Sequence, residues 1–355
     1  MQFLACRDGS MMPMMVLMTI PLVTAIGFSV DYTSAVTTRS DMQNALDAAI
    51  IAITTLPTTT SLSDRQTALQ QAYVANSGQG AATLTGVNVD TSGTATFTAT
   101  ASYPMPTNFM QIARINTVQV GVGASVRKRP ALVQTTFKVT LASGYWNKTM
   151  SLYGTRFGQT AANKLMTITY NYNGAGDPKG YGTTVVKTVN GSTETAVQQQ
   201  LCTTSSVRNF NNLPTGAITQ TDGNGQKYVT TCANTMYPAS SAGAVIDVSQ
   251  MDQLYLQMDV PAAATARPPQ PTVLKSNDAA TSNRLYADKV EIPNGQVVDI
   301  FTLVPCGQTS TQAWEDGGSA VPTPTAVGDS QADFFYTVQG KCAYNQRPSE
   351  TVLTQ

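Results

Sequence analysis

Met11 to Val30 is a run of 20 residues without a charge, and it passes straight into a stretch with a different pattern. A helix of that length rises about 30 Å, the thickness of a bilayer core. Further on, Met42, Ala45, Leu46, Ala49, Ile50 and Ile53 recur at the spacing of one helical stripe, with Asp41, Asn44 and Asp47 on other faces. Together these predict one helix that leaves an apolar layer, turns amphipathic and stops before Pro57. Pro13 and Pro21 fall inside it, which membrane helices tolerate better than soluble ones. Three readings fit such a start: a cleaved signal peptide, a membrane anchor, or the stem of a polymerising subunit. Cleavage near Thr33-Ser34-Ala35 would cut through a pattern that continues, so the anchor is the favoured reading. Residues 1–10 then form a cytoplasmic tail carrying Arg7, residues 11–30 the span, and the body lies on the far side.

Beyond Pro57 a capping box at Ser63-Asp64-Arg65-Gln66 predicts a short helix ending near Ala75. ATLTGVNVD and TATFTATASY alternate around Thr91-Ser92-Gly93, a hairpin signal closed by Pro104 and Pro106. NFMQIARI reads as a short helix and TVQVGVGASV as a third strand. This helical stem with a small α/β unit covers residues 31–130, and Arg127-Lys128-Arg129 reads as a solvated boundary. From Ala131 to the end the pattern is short strands between Gly, Pro, Asn and Asp clusters. The runs are TTFKVTLAS, KTMSLYG, KLMTITYNY, TTVVKTVNG, KYVTTC, GAVIDVS, QLYLQMDV, QVVDIFTLV and DFFYTVQGKC. Long loops are expected at 261–271 and 317–328. The fold class is α+β: a transmembrane helix extending into a helix-plus-antiparallel-sheet unit, then a mainly β, sandwich-like domain at 131–355.

Composition narrows the chemistry. Across 355 residues charged side chains make up 12%, about half the usual fraction. Lys plus Arg and Asp plus Glu are 21 each, so no basic field exists to hold nucleic acid. Histidine is absent, which removes the commonest general base and metal ligand. No cofactor or metal is expected. Of five cysteines, Cys6 precedes the apolar run, while Cys202, Cys232, Cys306 and Cys342 follow it without CxxC spacing. Two disulfides in an oxidising compartment are expected. Three pairings are open, and Cys202–Cys232 with Cys306–Cys342 closes the shorter loops; four buried thiols are the alternative.

Asp247-Val248-Ser249-Gln250-Met251 approaches the start of a metal-dependent adhesion site, but a thioether at the third position is a poor magnesium ligand. An ordinary strand and turn is the better reading. Trp314-Glu315-Asp316-Gly317-Gly318 reads as a structural turn or a weak calcium site, since adjacent carboxylates rarely face one reacting atom. Tyr145, Trp146 and Trp314 are candidate interface residues. Asn147-Lys148-Thr149 and Asn190-Gly191-Ser192 match the glycosylation sequon, a frequent coincidence.

The N-terminal stretch resembles TadE/TadG-like proteins of the bacterial Tad (Flp-type) pilus assembly system. The features that carry this are Gly9, Pro21, Gly27, Val30-Asp31, and Arg39…Met42-Gln43…Asp47-Ala48-Ala49. Met11, Pro21, Gly27 and Val30 mark the anchor. The likeness covers residues 7 to 56, more weakly to about 126, and leaves the second domain outside it. It implies a single-pass bacterial inner-membrane protein with a periplasmic body. Its expected role is a non-catalytic assembly or scaffold component whose β-domain binds other pilus-assembly proteins. Membrane lipid is its other partner, and a homo-oligomer a candidate state. A minor pilin is the alternative, and an extracytoplasmic carboxylate-dependent hydrolase a third reading. Pilins of this class are cut after a glycine and carry a glutamate at the fifth mature position. Counting from Gly9 that position is Met14, and no acidic residue occurs from Ser10 to Val30. Processing at Gly9 is therefore not expected.

Overall fold

The computed structural model describes residues 11–266, 269–282, 284–293, 295–317, 332–347 and 350–354, without the side chains of 11–13 and 20. The expected tail at 1–10, with Arg7 and Gly9, and most of the 317–328 loop lie outside the described residues. The fold is α+β, with one long helix and antiparallel sheets. The chain divides into two units, the first formed by 1–130 with 343–355, the second by 131–342.

In the first unit, α1 (Met11–Thr54) runs unbroken through Pro21. Its inner half buries Met42, Leu46, Ile50 and Ile53, the predicted stripe, against a sheet. α2 (Leu62–Ala75) is capped two residues earlier than expected. Ser61 is the N-cap: its Oγ accepts from Asp64 N at 3.1 Å and donates to Asp64 Oδ2 at 2.7 Å. β1 (Ala81–Val89) and β2 (Ala95–Pro106) form the expected hairpin, with Ala95, Phe97, Ala99 and Ala101 inward. β2 continues through Pro104 because β1 pairs only as far as Ser102, so no partner on that side needs the missing N–H. The expected helix after it is a single 3-10 turn, Met110–Ala113. β3 (Thr117–Lys128) completes the run.

The fourth strand comes from the far end of the chain. β18 (Thr351–Thr354) pairs antiparallel with β3, giving the order β1-β2-β3-β18. The expectation that 131–355 is one domain is corrected at this point: β3 has a free edge, and four residues of backbone suffice to close it. Tyr344 also packs against this core, edge-on to Phe97 at 5.9 Å. Fully buried Arg65 donates to Tyr344 Oη at 2.7 Å, and to the carbonyls of Ile53 at 2.7 Å and Pro57 at 2.5 Å. It thereby satisfies one of the open carbonyls at the end of α1. Lys128, read as part of a solvated boundary, is buried instead. Strand alternation carries it onto the inner face behind Val122, Ala124 and Val126, where it donates to the Arg347 carbonyl.

The second unit is a pair of sheets over one core. β4 (Ala131–Ala142), β5 (Lys148–Arg156), β6 (Ala162–Tyr172), β7 (Gly182–Asn190), β8 (Thr193–Val207), β9 (Ile218–Thr221) and β10 (Lys227–Met236) come first. β11 (Ala244–Asp247), β12 (Met251–Asp259), β13 (Val273–Lys275), β14 (Leu285–Ala287), β15 (Val290–Glu291), β16 (Thr309–Trp314) and β17 (Phe334–Ala343) follow. The larger sheet runs β13-β12-β5-β6-β7-β8-β10-β9 and the smaller β11-β4-β17-β16-β14-β15. Val139, Leu152, Ile168, Leu256, Trp314 and Tyr336 meet between them. QVVDIFTLV, expected as a strand, holds a short helix, α3 (Ile300–Leu303), because Asp299 Oδ1 accepts from Phe301 N at 3.0 Å and starts a helical turn. The expected loop at 261–271 begins with a 3-10 turn at Pro261–Thr265.

β8, the longest strand, carried no signal because its sequence is polar. Two of its glutamines, Gln198 and Gln200, point inward. Gln198 Nε2 donates to the Val139 carbonyl at 2.7 Å and its Oε1 accepts from Val139 N at 2.9 Å; Gln200 Nε2 reaches the Thr140 carbonyl at 2.8 Å. A side-chain amide here does for β4 what a neighbouring strand would do.

Two disulfides are present. Cys202–Cys232 joins directly opposed residues of β8 and β10, Cα atoms 4.0 Å apart, and Cys306–Cys342 joins the loop before β16 to β17, at 5.4 Å. These are the pairings that close the shorter loops.

Candidate functional site

Two places carry more than packing. The first is the outer half of α1. Among the described side chains from Met14 to Val30, the large apolar ones are exposed, Leu17 at 72%, on every face of the helix. A bare apolar cylinder of this kind is unstable in water and suits an apolar medium. The helix is long and apolar enough to cross a membrane.

Where this half ends, two residues of α1 fasten a loop to it. A Cβ on Gly27 would sit 2.5 Å from Phe109 Cβ, so only glycine admits that ring. One turn later the buried Asp31 carboxylate accepts from three successive backbone amides, Asn108 at 3.0 Å, Phe109 at 2.9 Å and Met110 at 2.7 Å. These are the open donors at the start of the 3-10 turn. Gly27 and Asp31 thus have a physical role that the sequence alone does not supply. Phe109, Ile112 and Ile115 on that loop remain exposed.

The second place is a buried ion cluster in the second unit. Lys148 begins β5, Asp316 lies two residues past β16, and Asp333 immediately precedes β17. Lys148 Nζ is 2.5 Å from Asp316 Oδ2 and 3.0 Å from Asp333 Oδ2, with its side chain wholly buried. Lys179 Nζ approaches the other oxygen of Asp333 at 3.4 Å. Tyr170 lies beneath, its ring centroid 5.4 Å from Lys148 Nζ, and its hydroxyl donates to the Gly144 carbonyl at 2.9 Å. Gly144 has φ +106°, and a Cβ there would stand 2.7 Å from Lys148 Nζ and 2.8 Å from Asp333 Oδ2. Its bare backbone leaves room for the cluster.

Burial raises the Asp333 carboxyl above its usual range; Lys148 pulls it back, Asp316 pushes it up further, and Lys179 lowers it again. Burial, then the charges of Asp177 and Asp333, push the Tyr181 hydroxyl up to about 12. Oxygens of Glu315, Asp316 and Asp333 lie within 4.8 Å of one another. The charge that a calcium ion at Glu315-Asp316 would bring comes here from Lys148. Sequence reasoning placed Glu315 and Asp316 at a turn but missed Lys148 and Asp333, which lie 168 residues before Asp316 and 17 after it. The one available signal was a lysine at the start of an apolar strand.

Of the candidate interface residues, Tyr145 is 55% exposed, packs edge-on to Tyr172 at 5.5 Å and donates to the Asp177 carbonyl at 2.7 Å. Trp146 is half-buried against the core. Trp314 is fully buried and offers no surface, a correction that follows from the inward face of β16. Asp247 Oδ1 accepts from Ser249 N at 2.9 Å in a tight turn, and Met251 is buried, as an ordinary strand connection requires.

Residues 9–52 match the model of the TadE/G-like family of Flp pilus assembly. The match takes in Gly27, Asp31 and the start of the buried stripe, and ends within α1. No curated protein and no solved structure gives a significant match.

Proposed function

We propose that this chain is a non-catalytic, membrane-anchored assembly or scaffold component of a Tad-type pilus system. α1 spans the bacterial inner membrane, and both folded units lie in the periplasm, where the β-rich unit binds other pilus-assembly proteins. The match at residues 9–52 supplies the pilus association. The observation that carries the anchor is the division of one unbroken helix: its described large apolar side chains are exposed from Met14 to Val30, and one face is buried from Met42 to Ile53. A signal peptidase cutting near Ala35 would remove Gly27 and Asp31 and release the loop they hold. Phe109, Ile112 and Ile115, fixed level with the end of the span, add apolar contact with the membrane interface. Two disulfides accord with an oxidising compartment. The absence of histidine accords with a binding role. Tyr145, beside Trp146, is the proposed partner contact.

The test is intact-mass measurement of the chain extracted from inner membranes, with protease accessibility from the periplasmic side. The expected result is a chain uncut at Gly9 and near Ala35, with its body digestible only from the periplasm. A species beginning at Ser10 in sheared pili overturns the scaffold reading in favour of a fibre subunit. A soluble chain lacking α1 overturns the anchor.

A further inference from the structure

We propose that Lys148 and Asp316 are joined by an intramolecular isopeptide bond, formed by condensation of the lysine amine with the aspartate carboxyl group and assisted by Asp333. The inference does not rest on the pilus reading. It starts from three reactive groups held in one dry place. Lys148 Nζ is 2.5 Å from an Asp316 oxygen, and the two side chains are 0% and 3% exposed. Asp333, at 3.0 Å from the same nitrogen, touches both the nucleophile and the space beside Asp316. Tyr170 and Gly144 close the floor.

Lys148, Asp316 and Asp333 together carry a net negative charge, which burial opposes; Lys179, 34% exposed and 3.4 Å from the far oxygen of Asp333, offsets it only in part. One proton on Asp333 brings these three buried groups to neutrality. Within the Lys148–Asp316 contact, the arrangement that reacts is the one with the shared proton on the carboxyl group, a free amine facing an uncharged acid. That is the reactive pair for amide formation, and enforced proximity replaces the activation such a condensation needs in solution. The Nζ lone pair attacks Asp316 Cγ and a C–N bond forms, while the carbonyl pair moves onto oxygen, polarised by the Asp333 proton. Asp333 gives that proton to the departing hydroxyl and takes one from the nitrogen. The Cγ–O bond breaks, one water leaves, and Asp333 is as it began. No oxidant, reductant or further reactant is involved. Asp316 is the electrophile because it is closer to Nζ and more buried, whereas Asp333 is also engaged by Lys179 through its second oxygen.

The consequence is mechanical. Lys148 belongs to the larger sheet, and Asp316 follows β16 of the smaller one. The bond ties the two sheets of the unit together covalently, independently of the disulfides.

The experiment is mass spectrometry of the full chain purified from membranes and reduced. The expected result is a mass one water below that of the sequence, and a branched tryptic product. Lys148 resists trypsin, so residues 139–156 remain whole and appear joined to residues 290–341. Fragmentation places the branch at Asp316. Lys148→Arg keeps a cation but no condensable amine, and is expected to give the full mass with separate peptides. Asp333→Asn is expected to give the same. Cleavage after Lys148 in the unaltered chain, with no water lost, overturns the proposal. A branch at Asp333 overturns the assignment of the electrophile, and a water still lost in Asp333→Asn overturns the role given to that residue.

Discussion

Lys128 in the first unit and Lys148 in the second are both fully buried, yet their surroundings are opposite in kind. Lys128 ends an inward-facing row of a strand and donates to a single carbonyl, that of Arg347, with the charge of Glu350 acting on it. Lys148 stands between two aspartates. Removing the first leaves one carbonyl behind; removing the second leaves a group of carboxylates in a place without water. The first unit tolerates a lysine as the end of a packed face, whereas the second is organised around one. Buried charge is therefore not one phenomenon: what it contributes depends on what remains when it is taken away.

The strongest way to break this comparison is to replace each lysine by methionine. Both tryptophans, Trp146 and Trp314, lie in the second unit, so their fluorescence follows its unfolding alone. Lys148→Met is expected to destabilise that unit by about 3–5 kcal/mol in urea titration of the full chain. Lys128→Met is expected to change protection of β3 amides from exchange by no more than about 1 kcal/mol. Equal effects would show that the two sites do not differ as described. Gly144→Ala should come next. Its Cβ strikes both Lys148 and Asp333, and its φ is left-handed, so a loss of about 2–3 kcal/mol is expected from the same fluorescence.

Asp31→Ala tests whether the first unit also holds a group of this dependent kind. It strands three backbone donors, and about 1–3 kcal/mol of local stability is expected to be lost. Limited proteolysis should then cut near Phe109 while leaving the second unit intact. The smallest effect is in pH. Burial lowers the Lys128 ammonium from the usual 10.5 to about 8, with Glu350 opposing. Between those values the unfolded chain binds a proton that the folded chain has released. Stability of the first unit should therefore rise as pH goes from about 8 to 10.5, and fall as pH drops back through 8. Hydrogen exchange corrected for intrinsic rate measures this, and Lys128→Met should abolish the slope.

The amino-acid pattern determined what depends on neighbours along the chain. The apolar run and the stripe from Met42 to Ile53 specify α1, because helix periodicity is a local property. The alternation in β2 specifies the inner face of the hairpin, and the shorter loops favour the two disulfide pairings that the structure shows, without excluding the others. Only tertiary structure decided the rest. β18 is four ordinary residues until the free edge of β3 receives them. β8 reads as solvent-facing until its glutamines meet the β4 backbone. Trp314 reads as an anchor for a partner until the second sheet covers it. Asp299 turns an apolar run into a helix start that hydrophobicity alone assigned to a strand. Lys148, Asp316 and Asp333 carry no shared motif, since their meeting is made by strand ends brought together from distant parts of the chain. Local periodicity fixes which face of an element is apolar; which distant element covers that face, and which polar groups are buried with it, is fixed only when the sheets close over one core.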